Sequence, residues 1–430
     1  MIRFRFIFLL LFTVKSLAQP AEQDINFEDY NYEENIKSVF LYPNSMQGEN
    51  PARLISQPII SLNSNTPLVL EFDDLTADFR GFRAKILHCD AEWKQSALSE
   101  IEYTTSYNDY PLTEYSASFS TKIPYYHYRL ELPQVKISGN YLLVVFSEDK
   151  RKPVLTRRFM VHEAKVRIGA VVNFAMGTYE RNTHQQIDFS IDHKGLAVPA
   201  PQNDLKVIIR QNFRWDTSKT GFKPAQVNSF DQSVKYQFFN LENAFPGGNE
   251  YRYFDSRTIA ARGFGVYEIE RLDEFTRLIL APDKPRNQER VNFSIDDLNG
   301  RYIVDHRESG NGSVEADYTP VVFTMMMPES PDAEIYVNGG FNNWQLDDLN
   351  RMEYNENTNA YQAVILLKQG LINYNYRKVS ESRSNNEEAG IEGNFSTTEN
   401  DYDILVYYRA PAGRYDQLVG YSQLEFNRRN

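Results

Sequence analysis

Apolar residues in this chain recur at every second position, over and over, in runs of five to eight. Leu68, Leu70 and Phe72 alternate with Val69 and Glu71. In GFRAKILH, Phe82, Ala84, Ile86 and His88 share one side while Arg83, Lys85 and Leu87 share the other. YYHYRLEL places Tyr126, Tyr128, Leu130 and Leu132 together. Successive side chains on an extended strand point to opposite faces, so this period predicts half-buried β-strands. NYLLVVF is apolar on both faces and reads as a central strand. The pair Asn299-Gly300, which tolerates the positive φ of a tight turn, predicts a hairpin within VNFSIDDLNGRYIVD. Helical periodicity longer than two turns is rare. The 28 Tyr and 28 Phe suit a pleated, half-buried surface. The fold class is therefore all-β, built as tandem immunoglobulin-like β-sandwiches.

Arg3 and Arg5 precede an apolar run from Phe6 to Val14, and Ser16-Leu17-Ala18 offers small residues for cleavage. This is the pattern of a secretory signal peptide over 1–18. The apolar run is shorter than the ~20 residues a membrane helix needs. The mature chain is thus expected outside the cytoplasm, without a membrane-spanning helix. Loss of Arg3, Arg5 and Lys15 takes the formal charge from -12 to -15. That balance gives no general attraction to nucleic acid or anionic lipid. Cys89 is the only cysteine, so no intrachain disulfide forms and the cores must carry the fold.

Turn punctuation suggests a flexible N-terminal lead over 19–35, an N-terminal sandwich over 36–162, a middle sandwich over 163–318 and a C-terminal sandwich over 319–430. The loops around Phe222 and Phe245, and the polar acidic loop from Ser380 to Gly393, are expected at the surface and are candidates for contact with a partner.

Chemistry is sparse. HCDAEW sets His88 beside Cys89, as a nucleophile and its base would be, but neighbours on a strand turn away from each other. His88, His127, His162, His184, His193 and His306 show no zinc spacing. The pairs Asp73-Asp74, Asp296-Asp297 and Asp347-Asp348 fall where strands meet turns, where carboxylates cap and solvate. No G-x-S-x-G elbow, phosphate-cradling loop or dinucleotide fingerprint occurs. No cofactor, catalytic residue or metal ligand is expected.

YVNGGFNNWQ, from Tyr336 to Gln345, resembles the early strands of immunoglobulin-like glycogen- and starch-binding modules, in which a glycine precedes F-N-x-W. In that family the tryptophan of the string is largely a framework residue. A glycan-binding reading would rest on Phe341, Asn343 and Trp344.

A second resemblance spans nearly the whole mature chain. IKSVFLYP, PIISLNS, LVLEFDDL, HCDAEW, SFSTKIPYYHYRLELP, SGNYLLVVF and LTRRFMV come first. FPGGNEYRYFD and DDLNGRY follow, then YVNGGFNNWQ, TENDYDILVYYR and RYDQLVGY. In this order the strings resemble the plug protein family of the type IX secretion system of Bacteroidetes. The resemblance implies a non-enzymatic periplasmic protein at the inner side of the outer membrane. Its implied partner is the giant β-barrel translocon, whose periplasmic mouth it seals reversibly. An exported glycan-binding protein using the C-terminal module is the alternative.

Overall fold

The computed structural model describes residues 25–45, 50–76, 78–149, 152–289, 297–380 and 388–427. The expected signal peptide over 1–18 lies outside them. The architecture is three β-sandwiches, as the alternation required.

In the first sandwich, a six-stranded sheet orders Tyr30–Asn31, Pro153–His162, Gly139–Ser147, Phe82–Cys89 and Tyr110–Pro111, with Ile59–Ser61 also paired to Pro153–His162. A four-stranded sheet of Ile36–Pro43, Leu68–Asp74, Tyr126–Glu131 and Glu114–Ala117 faces it. The alternating residues meet between them: Leu70, Phe72 and Tyr128 from one sheet, Phe82, Ala84, Ile86, Tyr141, Leu143 and Val145 from the other. Phe72 stacks on Tyr128 at 5.1 Å, and Phe82 meets Tyr128 edge-on at 4.9 Å. Such ring pairs contribute about 0.5–1.5 kcal/mol each beyond their buried area.

The lead expected to be flexible is fixed where it is described. Tyr30–Asn31 pairs with Thr156 and Leu155. Arg158 donates from its backbone N to Asp29 Oδ1 at 2.7 Å and from Nε to the Phe27 carbonyl at 2.8 Å. A short acidic segment carries little periodicity of its own, so its order comes from the edge it caps.

The second sandwich opens on Arg167–Phe174, which pairs with His184–Asp192; Ser233–Tyr236 and Gln226–Asn228 extend that sheet. The opposing sheet takes Lys219–Thr220 and Leu205–Gln211 from this region, then Asn400–Tyr408 and Gln417–Phe426 from the end of the chain. Leu205 through Gln211 match Tyr408 through Tyr402 residue by residue. Ile187, Phe189, Ile191, Val207, Ile209, Tyr402, Ile404 and Val406 form one core.

The third sandwich lies between, from Arg252–Asp255 to Gly370–Ser380, with Val266–Arg271, Thr276–Leu280, Tyr318–Met325 and Ala360–Lys368 in its second sheet. The first sandwich's last strand ends at His162 and the second's first begins at Arg167, but strand pairing divides the rest of the chain differently from the expected boundary at 318/319. The third sandwich is inserted into the second, and the last strands of the chain return to the second. Turns mark where strands stop, but not which strand a later segment joins.

The sandwiches are locked together. Gly139–Ser147 is apolar on both faces because each face meets a core. Tyr141, Leu143 and Val145 point into the first sandwich. Leu142 and Val144 point out, against Ile208, Leu405, Tyr407 and Leu418 of the second. The Tyr407 hydroxyl donates to Asn140 Oδ1 across this joint at 2.7 Å. Phe40, Tyr42 and Val69 of the first sandwich pack on Val304 and Ala316 of the third. Arg301 of the third donates to Asp401 of the second at 3.2 Å.

Candidate functional site

The sequence motif NGGFNNWQ forms a turn. Gly340–Asn342 is a single 3₁₀ turn after the strand Ala333–Asn338. Asn342 closes it: its Oδ1 accepts from Gly339 N at 3.1 Å, and its Nδ2 donates to the Gln345 carbonyl at 3.1 Å. Asn343 and Trp344 follow at φ 54° and 61°, the left-handed region that reverses the chain. Phe341 packs on the third core. Trp344 is half-buried: the Arg214 guanidinium lies 4.0 Å over its ring, and Tyr251 meets it edge-on at 5.7 Å. A Cβ on Gly300 would come within 2.4 Å of the same ring. Gly300 and Asn299 both have positive φ, as the Asn-Gly signal predicted, while the strand expected before them falls mostly outside the described residues. The three candidate glycan residues thus sit at a turn whose tryptophan bridges the second and third sandwiches.

HCDAEW divides as strand geometry dictates. His88 faces Tyr103 and Tyr141 inside the first sandwich, with Nδ1 2.9 Å from Ser96 Oγ. Cys89 faces the joint with the second sandwich. Burial pushes the Cys89 thiol up to about 12 and the His88 imidazole down to about 4. A protonated thiol turned away from its neighbouring imidazole is neither nucleophile nor ligand at neutral pH.

The most concentrated polar chemistry is a sealed cluster between the first and third sandwiches. Asp73 is next to last on the strand Leu68–Asp74 and is buried. Its Oδ2 accepts from Lys368 Nζ and from the Tyr318 hydroxyl, each at 2.7 Å, and its Oδ1 lies 2.7 Å from His127 Nδ1. Lys368 also donates to the Ser313 carbonyl at 2.8 Å and sits 4.1 Å over the Tyr125 ring. Burial alone would push the Asp73 carboxyl up; Lys368 and His127 outweigh it and hold it below its ordinary value. The adjoining cavity, lined by Ser38, Arg53, Glu71 and Gly312 among others, measures about 20 Å³. That admits one water. The arrangement satisfies every charge it buries and leaves no room for a substrate, so its chemistry is that of a joint.

The other carboxylate pairs are separate. Asp347 accepts from Leu349 N in a turn, and Asp348 pairs with Arg351 at the surface. Asp296 lies outside the described residues. Asp297 is half-buried and accepts from Tyr251 N and Asn299 N. Burial raises its carboxyl to about 6, and burial, with Asp297 adding repulsion, raises Glu250 to about 7. Among the described residues, no three His, Cys, Asp or Glu side chains are grouped to hold a metal ion. No helix there is long and apolar enough to cross a membrane.

The contact loops expected from sequence are placed differently. Phe222 and Phe245 are both buried in the second core. Residues 381–387 of the third loop lie outside the described residues, while Glu392 at its end is buried between Arg252 and Arg286. Sequence reasoning passed over one open apolar surface, along Arg167–Phe174 and the segment after it. There Val171, Phe174, Met176 and Tyr179 are exposed, with Phe239 exposed nearby. Gln186 links the two segments, its Oε1 accepting from Met176 N and its Nε2 donating to the Phe238 carbonyl. The signal available was a run from Ile168 to Tyr179 without a charged residue.

Comparison with known proteins bears on the first sandwich and on the fold of the whole chain. No curated protein matches it. A crystal structure of a hypothetical protein from Parabacteroides merdae is 32% identical, covering 94% of this chain and 100% of its own, at a TM-score of 0.86. The C-terminal domain of the Streptococcus agalactiae AgI/II polypeptide BspA is 6% identical over 90% of this chain and 99% of its own, at a TM-score of 0.18, too low to bear on the fold. Residues 36–163 match the model of the type 9 secretion system plug protein first domain, which coincides with the first sandwich and the two strands, Leu68–Asp74 and Gly139–Ser147, that meet its neighbours. The first sandwich belongs to the plug protein family of the type IX secretion system.

Proposed function

We propose that this protein is a non-enzymatic periplasmic plug, which binds the periplasmic mouth of the outer-membrane translocon of its secretion system and seals it reversibly. The family match over 36–163 carries the reading. The physical form supports it. A sandwich of ~110 residues has a radius of gyration near ~13 Å, so each body is some 30 Å or more across. One such body fills a hole wide enough for a folded protein.

A stopper must also resist deformation, and here the joints matter. Apolar cores join the first sandwich to both others. The buried Asp73–Lys368 pair and the Arg214–Trp344 contact fix the third. Nothing in this role asks for a reactive side chain, and the most nucleophile-like string is inert where it sits.

Affinity capture of the tagged protein from detergent-solubilised outer membranes tests the reading. A very large β-barrel protein should be recovered in stoichiometric amount. Recovery of soluble proteins alone would overturn it. Deletion of the gene should admit bulky antibiotics while the translocon remains assembled and empty of cargo.

A further inference from the structure

Edge strands carry a row of unpaired backbone N–H and C=O groups, and folded proteins blunt them with charge, proline, bulges or brevity. Most edges here are blunted. Tyr30–Asn31, Tyr110–Pro111 and Lys219–Thr220 are two residues long, and Gln226–Asn228 and Glu353–Asn355 three. Ile36–Pro43 has a register shift between Lys37 and Phe40. Val266–Arg271 has a shift and carries Glu268, Glu270 and Arg271. Ala333–Asn338 carries Glu334; Gln417–Phe426 carries Glu425 and pairs through a shift.

Arg167–Phe174 is the exception among the described residues. Its eight residues pair with His184–Asp192 in unbroken register, and no strand is hydrogen-bonded to its other side, although Phe174 at its end meets Phe426 edge-on at 5.7 Å. After Arg167 no charge occurs until Glu180, and no proline. Ile168, Ala170 and Val172 pack inward on the second core. Outside, Val171 is 51% exposed, Met176 58%, Tyr179 86% and the neighbouring Phe239 80%.

We propose that this edge is where the translocon docks, by adding an extended, uncharged segment of its own chain as a further strand beside Arg167–Phe174; the inference rests on the plug reading. Backbone hydrogen bonds along the edge supply affinity, and an apolar side chain of the added strand covers Val171 or Met176. Charge selects against a second copy of this chain, since without Arg3, Arg5 and Lys15 each copy goes from -12 to -15 and repels the other. Extent fits as well. An eight-residue strand spans ~27 Å at ~3.4 Å per residue. One added strand stays within the area of contacts that form and release, below ~1,200 Å².

The test uses the full-length protein and the detergent-solubilised barrel of the same secretion system. Val171→Lys places a charge on the edge without touching the core, and Val364→Lys, at an exposed site of the third sandwich, is the control. The V171K variant should lose at least tenfold in affinity and V364K less than twofold. Amide exchange within 167–174 should slow at least tenfold in the wild-type complex. Equal binding by V171K with unchanged exchange along 167–174 overturns this inference and leaves the plug reading standing. Failure of the wild-type protein to bind the barrel overturns both. Dimers that V171K abolishes would assign the edge to a second copy and overturn the proposal.

Discussion

Lys368 Nζ lies 2.7 Å from Asp73 Oδ2, and that contact spans two sandwiches nearly 300 residues apart in the chain. Both side chains are buried, so each charge depends on the other. Removing one partner strands the other away from water, which costs about 3–5 kcal/mol. Lys368→Met should lower the unfolding free energy by that amount in urea titrations. Pairing it with Asp73→Asn should restore part of the loss, because the two changes are coupled.

The joint between the first and second sandwiches has an apolar centre crossed by the Tyr407–Asn140 hydrogen bond, with Ala91 N donating to Asp416 and Lys206 pairing with Glu92 beside it. Leu142→Ala should cost about 2–5 kcal/mol through the cavity it leaves. Tyr407→Phe should cost about 1–3 kcal/mol, since Asn140 Oδ1 loses its donor in a buried place. Both are read from denaturant midpoints.

The stability that protonated Glu250 and Asp297 contribute should be lost as pH rises through neutrality. Glu250 and Asp297 hold their protons more tightly folded, at about 7 and about 6, than as ordinary carboxyls. The folded chain therefore binds more protons than the unfolded chain between the ordinary range and about 7. Stability from this source is full below the ordinary carboxyl range and is lost as pH climbs through the folded values. Buried His88 acts in the opposite sense, so the contribution is read by comparing the midpoint change between pH 5.5 and pH 8 in the wild type and in Glu250→Gln. Glu250→Gln should lower the pH 5.5 midpoint relative to the pH 8 midpoint.

Cys89 should resist alkylation in the native protein and react readily once unfolded. Its thiol is buried and held up to about 12. Iodoacetamide labelling at neutral pH, followed by mass spectrometry with and without denaturant, should differ by at least a hundredfold. Comparable rates would show that the first joint opens easily.

Period-two patterning made the strands legible, because burial on one face is a local property of sequence. Phe82, Ala84 and Ile86 point inward as their spacing required. The opposite faces of Cys89 and His88 were legible for the same reason. The insertion was not. Asn400–Tyr408 joins Leu205–Gln211, and nothing within either segment names its partner. Trp344 was readable as a framework residue, but Arg214 is supplied by a distant segment. Phe222 and Phe245 looked like loop residues from their glycine and proline neighbours, yet local composition does not report what a loop folds over. The uncharged run from Ile168 to Tyr179 was visible and passed over, since an edge is a property of the sheet.

The insertion also sets an order of assembly. As the chain is made, the first sandwich has all its strands by His162, and the third by Ser380. The second has only one complete sheet until Gln417–Phe426 arrives, so the central body closes last. A chain cut short by thirty or so residues would leave the middle of the molecule gaping between two finished neighbours, and would be recognised by proteases as unfinished work.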